Sequence, residues 1–379
     1  MSVSGHRQDD RRGNGVPRGT PSLRLVPDAA LGVSPAARDD AQVTAGAEQF
    51  GTAAARAAGA VGGGQVCYPE PRLAGDGGPV DEAAWTPIAD EAARATRVLH
   101  PADRLPRPAR RRVLTVANQK GGVGKTTSTV NLAAGLALHG LKTLVVDLDP
   151  QGNASTALGV EHRSGTPSIY EVLLGALPLS DAVAVSPQSE NLLCVPATID
   201  LAGSEIELVS MVARESRLKE ALSPAALDEL GVDYVFIDCP PSLGLLTVNA
   251  LVAAPEVLIP IQCEYYALEG LGQLLRNIEL VRQHLNPTLA VSTILLTMYD
   301  GRTKLADQVT AEVRRHFGDQ VLRTVIPRSV KVSEAPGFGQ TVLVHDPGSR
   351  GAMSYLDAAR EIALQHGRAT DGEDEEDAR

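Results

Sequence analysis

Cysteine is scarce in this chain of 379 residues, and its four cysteines form no pattern. Cys67, Cys194, Cys239 and Cys263 have neither the spacing of a metal site nor that of a disulfide framework. We therefore expect reduced thiols, as is usual in a cytoplasmic protein.

Long apolar runs are also lacking. No run approaches the roughly 20 residues that a membrane-spanning helix needs, and the first ten residues contain no apolar signal-peptide core. The chain is 43% hydrophobic, with a mean hydropathy of -0.05. These values predict a soluble protein with one good-sized core and no stable association with a membrane.

The first lysine of the chain is Lys120, and the region before it differs in composition from the rest. Residues 1–110 are rich in Ala, Gly, Pro and Arg without sustained periodicity, which predicts a disordered tail. A short helix near Asp81 to Leu99 is the one element we expect there. A basic run ends the tail and either contacts nucleic acid or solubilises the junction with the next segment. It comprises Arg107, Arg110, Arg111 and Arg112.

Between this tail and a second, acidic tail at residues 367–379 lies one predicted domain, residues 111–366. Apolar runs alternate in it with helical stretches such as Ala202–Leu222 and Leu268–Leu285. The alternation predicts an α/β fold with a mostly parallel central sheet covered by helices on both faces. The predicted strands are Val113–Ala117, Thr143–Asp147, Leu192–Pro196, Tyr234–Asp238, Val257–Gln262, Val291–Thr297 and Val321–Ile326.

A glycine-rich segment, Gln119–Thr127, links the first predicted strand to a helix. Strand, glycine loop and helix are the setting of a phosphate-binding loop (P-loop), in which backbone N–H groups surround phosphate oxygens. Lys125 is expected to reach the β- and γ-phosphates of a nucleotide, and the Thr126 hydroxyl to bind Mg²⁺. The segment predicts a P-loop NTPase. The expected ATP-binding residues of the segment are Lys120, Gly121, Gly122, Val123, Gly124, Lys125, Thr126 and Thr127.

The segment departs from the usual loop because a lysine, Lys120, opens it and Gln119 stands where a glycine is standard. In this form the sequence resembles the ParA/Soj chromosome- and plasmid-partitioning ATPases, within a wider class that includes MinD and the nitrogenase iron protein. The resemblance runs from about residue 112 to residue 365. It implies that Lys120 crosses a dimer interface and contacts the nucleotide of the partner subunit.

Acidic residues follow two of the predicted strands. Asp147 and Asp149 end the second strand, where a carboxylate can position an attacking water. The resemblance makes Asp149 the water-positioning residue and Asp147 a supporting one. Asp238 ends the strand Tyr234–Asp238 and is followed by Pro-Pro-Ser, as in the family. It is expected to bind Mg²⁺ through a water molecule.

Two later segments extend the resemblance. Loops here border the adenine in the wider class, so Met298, Tyr299 and Pro327 are candidate base contacts. In the partitioning branch, basic residues of these segments form a surface for duplex DNA. The matching positions in this chain are Arg302, Arg328 and Lys331.

The resemblance implies an ATP hydrolase for DNA segregation, with ATP and Mg²⁺ as cofactors. It implies a homodimer that forms with ATP, binds duplex DNA nonspecifically on the nucleoid, and is stimulated by a ParB-like centromere-binding partner. The net charge of -11 argues against general DNA coating but allows a local basic patch.

The alternative is a membrane-associated cell-division ATPase like MinD, although the acidic C-terminal end would be repelled by anionic lipid. A reductase like the nitrogenase iron protein is less consistent with the sequence, because Cys194 and Cys263 lack the pattern of cluster ligands.

Overall fold

The computed structural model describes residues 87–99, 104–265 and 267–365. Strands and helices alternate along these residues, as the apolar runs predict. The strands are β1 Arg112–Val116, β2 Thr143–Asp147, β3 Ala184–Val185, β4 Leu192–Val195, β5 Tyr234–Asp238, β6 Glu256–Gln262, β7 Ala290–Tyr299 and β8 Val321–Pro327.

The helices that connect these strands range from one turn to 18 residues. In the first half of the domain they are α1 Pro87–Leu99, α2 Lys125–Leu138, α3 Asn153–Ala157, α4 Ile169–Leu174, α5 Leu179–Ala182, α6 Leu201–Val209, α7 Arg217–Ala221 and α8 Pro224–Leu230. In the second half they are α9 Leu245–Ala253, α10 Ala267–His284, α11 Lys304–Phe317, α12 Val330–Glu334, α13 Val342–His345 and α14 Arg350–Gln365.

The strands form one sheet in the order β3-β4-β2-β5-β1-β6-β7-β8. The paired strands are parallel except at the edge, where the two-residue β3 lies antiparallel to β4. The α/β fold with a mostly parallel sheet is thus confirmed. The sequence did not predict β3, because two residues are too short to show an alternation.

Apolar side chains leave the sheet on both faces. In β2, Val145 joins a core cluster with α2 and α14, whereas Leu144 and Val146 join a cluster on the opposite face. Alternation within a strand therefore produces two buried faces, each covered by helices. On the first face, α2 and α14 lie so close that a Cβ added at Gly135 would be 2.8 Å from the Cβ of Ala359.

The ordered domain begins before residue 111. Helix α1 lies within the predicted range Asp81 to Leu99, and Val98 is fully buried in the core cluster that contains α2 and α14. The Nε of Arg94 donates a hydrogen bond to the carbonyl of Gly348 at 3.1 Å. The predicted start of the domain at residue 111 is therefore too late. The remaining parts of the predicted tails, residues 1–86, 100–103 and 367–379, lie outside the described residues.

The predicted single helix Ala202–Leu222 is wrong, because the chain forms α6 and α7 with a break between them. Ala213 has a left-handed φ of 53° in this break. Asn249 on α9 holds the break: its Nδ2 donates to the carbonyl of Arg214 at 2.8 Å, and its Oδ1 accepts from the N–H of Leu218 at 3.1 Å. A buried amide can satisfy the backbone groups that a helix would otherwise pair.

Candidate functional site

The glycine segment forms a loop between β1 and α2, at the carboxyl edge of the sheet. Gly122 and Gly124 have φ values of 73° and 89°, which side chains rarely adopt. Gly124 precedes the first residue of α2 and offers no side chain to cap it. The first-turn N–H groups of the helix can therefore bind an anion. The Oγ1 of Thr297 donates to the carbonyl of Val123 at 2.8 Å and anchors the loop to β7.

Lys125 is the first residue of α2, and only 7% of it is exposed. Burial lowers the pKa of Lys125, and the nearby carboxylates of Asp238 and Asp149 oppose this shift. A buried ammonium group beside a loop of N–H donors is suited to a ligand that carries several negative charges.

Asp238 ends β5, between the strand of the P-loop and β2. Its Oδ1 accepts a hydrogen bond from the Oγ1 of Thr129 at 3.1 Å, and its buried Oδ2 has no hydrogen-bond partner among the described residues. Burial, and then the charge of Asp147, raise the pKa of Asp238 to about 8, against a smaller opposing effect of the Thr126 hydroxyl. A buried carboxylate oxygen without a donor, close to a threonine hydroxyl, fits the outer part of a Mg²⁺ site.

Asp147 and Asp149 differ in their surroundings. Asp147 is fully buried, and its Oδ2 accepts from both the N–H and the hydroxyl of Ser155, at 2.8 and 2.7 Å. Its Oδ1 accepts from the N–H of Asp149 at 3.1 Å. Burial raises the pKa of Asp147 to about 6. Both oxygens of Asp147 thus hold the loop that follows β2, whereas Asp149 uses its Oδ1 for the N–H of Gln151 at 3.0 Å.

Lys120 does not point into the P-loop of its own chain. Its Nζ lies 3.2 Å from the Oε2 of Glu264, a residue just beyond β6, and 36% of the Lys120 side chain is exposed. Its backbone N–H donates to the Oδ1 of Asn118 at 3.0 Å. The loop is therefore built around Lys125, while Lys120 lies at its outer margin.

Two of the three candidate adenine contacts lie together. Met298 and Pro327 line a cavity of about 320 Å³ that also includes Gly124 and Thr127. Tyr299 lines a neighbouring cavity instead, and its hydroxyl donates to the Oδ1 of Asp307 at 2.5 Å. The structure thus brings Met298 and Pro327 to the P-loop, and does not bring Tyr299 there.

The candidate DNA-binding residues lie on one exposed region beside this cavity. Arg302 and Arg328 line the same cavity of about 520 Å³, and Lys331 follows on α12. Each of the three is paired with an acid. Arg302 makes two bonds to Asp300, at 2.9 and 2.8 Å. Lys331 lies 3.7 Å from Glu334.

The basic run before β1 has mainly structural contacts. Arg112 is 3% exposed, pairs with Glu256 at 2.6 Å and donates to the carbonyl of Ile362 at 2.8 Å. Arg111 pairs with Asp228, and Arg107 lies 3.6 Å from Asp233. Arg112 is therefore not available to nucleic acid, because its guanidinium is buried within the fold.

The three cysteines that the structure describes are buried free thiols, and burial raises the pKa of each. Sequence reasoning missed Thr129, Thr297 and Glu264. Glu264 carried a usable signal, because polar residues that follow a strand at the carboxyl edge of a parallel sheet lie next to the ligand site.

The parallel sheet, the glycine loop and the lysine at the start of α2 define a P-loop NTPase. A sequence model described as an AAA domain matches residues 111–291. Soj, the sporulation initiation inhibitor protein of Bacillus subtilis (strain 168), is 52% identical over 252 residues, which are 66% of this chain and 98% of Soj. The chromosome partitioning protein ParA of Myxococcus xanthus (strain DK1622) is 52% identical over 251 residues, 66% of this chain and 87% of ParA. The chain belongs to the Soj/ParA family of chromosome partitioning proteins.

A solved structure extends the likeness to a nucleotide complex. It is named cobyrinic acid a,c-diamide synthase from Mycobacterium smegmatis, with bound ATP analog and magnesium. It is 41% identical to this chain, has a TM-score of 0.59, and the match covers 69% of this chain and 97% of that one. In the part of this chain that the structure describes, no helix is both long and apolar enough to cross a membrane.

Proposed function

We propose that this protein is an ATPase that drives DNA segregation. The observation that carries the proposal is the grouping of Lys125, Asp238 and Asp149 at the carboxyl edge of the sheet, while Lys120 stands outside the loop. Family membership at 52% identity supports the same function.

ATP is the nucleotide that the site fits. The N–H groups of the P-loop and the buried Lys125 bind its phosphates, and Met298 and Pro327 border the adenine. Thr126 and Asp238 hold Mg²⁺, Asp238 through water. The metal, when bound, offsets the negative charge that phosphoryl transfer leaves on the phosphate oxygens.

Asp149 positions the attacking water in this proposal, and Asp147 keeps Asp149 in place. The second role follows from the hydrogen bond between the Asp149 N–H and the Asp147 carboxylate. Positioning is the main protein contribution to phosphoryl transfer, because little covalent chemistry is required of the protein.

Two copies of the chain pair when ATP is bound, and Lys120 of each contacts the nucleotide of the other. The pair binds duplex DNA nonspecifically through Arg302, Arg328 and Lys331, which places it on the nucleoid. A ParB-like partner then stimulates hydrolysis and releases it. The exposure of all three side chains, between 54% and 87%, supports contacts with phosphates.

The test is DNA binding by the purified protein with and without ATP, measured at several salt concentrations. The wild type should bind unrelated duplexes with similar affinity, and only with ATP. Each alanine at Arg302, Arg328 or Lys331 should make the plot of log affinity against log salt shallower by about 0.9.

A matched control is Lys304→Ala, which removes an exposed lysine at the start of α11. Lys125→Ala should abolish both ATP binding and DNA binding, because it removes the buried cation of the loop. ATP-independent DNA binding by the wild type, or normal ATP binding by Lys125→Ala, would contradict the proposal.

A further inference from the structure

We propose that Glu264 is a positioning residue that holds Lys120 within its own chain and thereby restrains dimerisation. The inference rests on the proposed function, since it assigns Lys120 to the nucleotide of a second copy. It adds a residue that neither the sequence motifs nor family membership assigned to the site.

The contacts of Glu264 are unusual for an exposed acid. Its Oε2 lies 3.2 Å from the Nζ of Lys120, while its Oε1 accepts a hydrogen bond from the Nε2 of Gln262 and lies 3.9 Å from the Nη2 of Arg328. Each carboxylate oxygen thus faces a different cation. Gln262 and Arg328 hold the carboxylate in place, so that little side-chain entropy is lost when Lys120 joins it.

The backbone fixes Glu264 at the margin of the P-loop. The N–H of Cys263 donates to the carbonyl of Thr297 at 3.1 Å, on the strand whose side chain also anchors the loop. The Nδ2 of Asn118 donates to the carbonyl of Pro260 at 2.8 Å and ties the start of the loop to the same strand as Glu264. Lys120 and Glu264 are therefore presented to each other by neighbouring strand ends.

Lys120 cannot bind Glu264 and the nucleotide of a second copy at once, because one ammonium group serves one site. The two side chains are 36% and 46% exposed, so the pair is weak enough to exchange. A pair of this exposure shifts an equilibrium by about two- to fivefold. Both subunits of a dimer release one pair, so the effect on the dimer dissociation constant is the square, about four- to 25-fold.

The matched control is Glu334→Gln. Glu334 is 47% exposed and pairs with Lys331 at 3.7 Å, so this variant removes the same charge from a similar pair. Glu264→Gln keeps the size of the side chain, and Glu264→Asp keeps the charge but shortens its reach. All three changes are at partly exposed positions and should leave the fold intact.

The first measurement does not depend on ATP or on dimers. The nucleotide-free protein is acylated with an activated ester, and the labelling rate of each lysine is followed by mass spectrometry. Loss of an ion-pair partner favours the neutral, reactive amine. Glu264→Gln should label about two- to fivefold faster at Lys120 and unchanged at Lys331, and Glu334→Gln should do the reverse.

The second measurement is the dimer dissociation constant with a slowly hydrolysed ATP analogue, by analytical ultracentrifugation. Glu264→Gln should lower it by about four- to 25-fold, Glu264→Asp by less, and Glu334→Gln should leave it unchanged. If the wild type forms no dimer, the proposed function fails, while the labelling still decides whether the pair exists. If the wild type does dimerise and Glu264→Gln has its dissociation constant or its Lys120 labelling rate, the inference is overturned.

Discussion

Two aspartates, 147 and 149, illustrate how burial separates chemistry from support. Asp147 spends both oxygens on Ser155 and on the Asp149 N–H, whereas Asp149 has one oxygen engaged by Gln151. We assign water positioning to Asp149 for this reason. Both residues carry the same charge, and the sequence alone could separate them only by likeness to the family.

Asp149→Ala should bind ATP with nearly wild-type affinity but hydrolyse it about 10²-fold more slowly, because it loses the group that positions the water. Single-turnover hydrolysis and nucleotide titration would measure both quantities. Asp147→Asn is the comparison: it leaves a buried donor of Ser155 without its acceptor and should lower the free energy of unfolding by about 1–3 kcal/mol. Unchanged turnover in Asp149→Ala would move the role to another residue.

Asp238 makes the stability of the nucleotide-free protein depend on pH. Burial raises the folded-state pKa to about 8, while an unfolded aspartate has a pKa of about 3.9. Between these values the folded state binds more protons than the unfolded state, so stability falls as pH rises. The melting temperature should be higher at pH 6 than at pH 8, and Asp238→Asn should reduce the difference. Calorimetry of both proteins that gave equal pH dependence would refute this account.

At the scale of elements, the strands were predictable because each is a short apolar run that ends at a polar residue. The bounds of β2 and β5 agree with the prediction at both ends. The break between α6 and α7 was not predictable, because it depends on Asn249, which lies more than 30 residues away along the chain. Long-range hydrogen bonds of this kind leave no periodic trace in the local sequence.

Helix α1 is an element whose attachment the composition concealed. Val98→Ala should lower the free energy of unfolding by about 1–3 kcal/mol, because it removes apolar atoms from a filled core. Thr96→Ser, at an exposed position of the same helix, should change it by less than about 0.5 kcal/mol. Chemical denaturation of the three proteins would measure this, and equal stabilities would show that α1 adds nothing to the core.

At the scale of the whole molecule, Lys120 links one copy to another. Lys120→Ala should keep ATP binding but stay at the single-chain mass of 39.7 kDa with a slowly hydrolysed analogue, whereas the wild type should double its mass. The reason is that Lys120 lies outside its own P-loop. Light scattering would distinguish the two, with Lys304→Ala as the control. An ATP-dependent dimer of normal affinity in Lys120→Ala would exclude this role.

The sequence predicted most of the candidate site because strand ends carry it. Lys125, Asp149 and Asp238 all fall at the carboxyl edge of the sheet. What the sequence could not provide is direction: Tyr299 turns towards Asp307, and Lys120 turns towards Glu264. Side-chain direction depends on neighbours that the fold brings together, and those neighbours are distant in sequence.

The close approach of α2 and α14 at Gly135 has a mechanical consequence. Packed protein interiors are nearly incompressible, so two helices without a gap between them move as one body. One of these helices begins at the loop that surrounds the phosphates, and the other begins at Arg350, which lines the cavity shared by Arg302 and Arg328. A small tilt of α2 on phosphate binding therefore displaces the far end of α14. The pair acts as a stiff lever between the nucleotide and the basic surface.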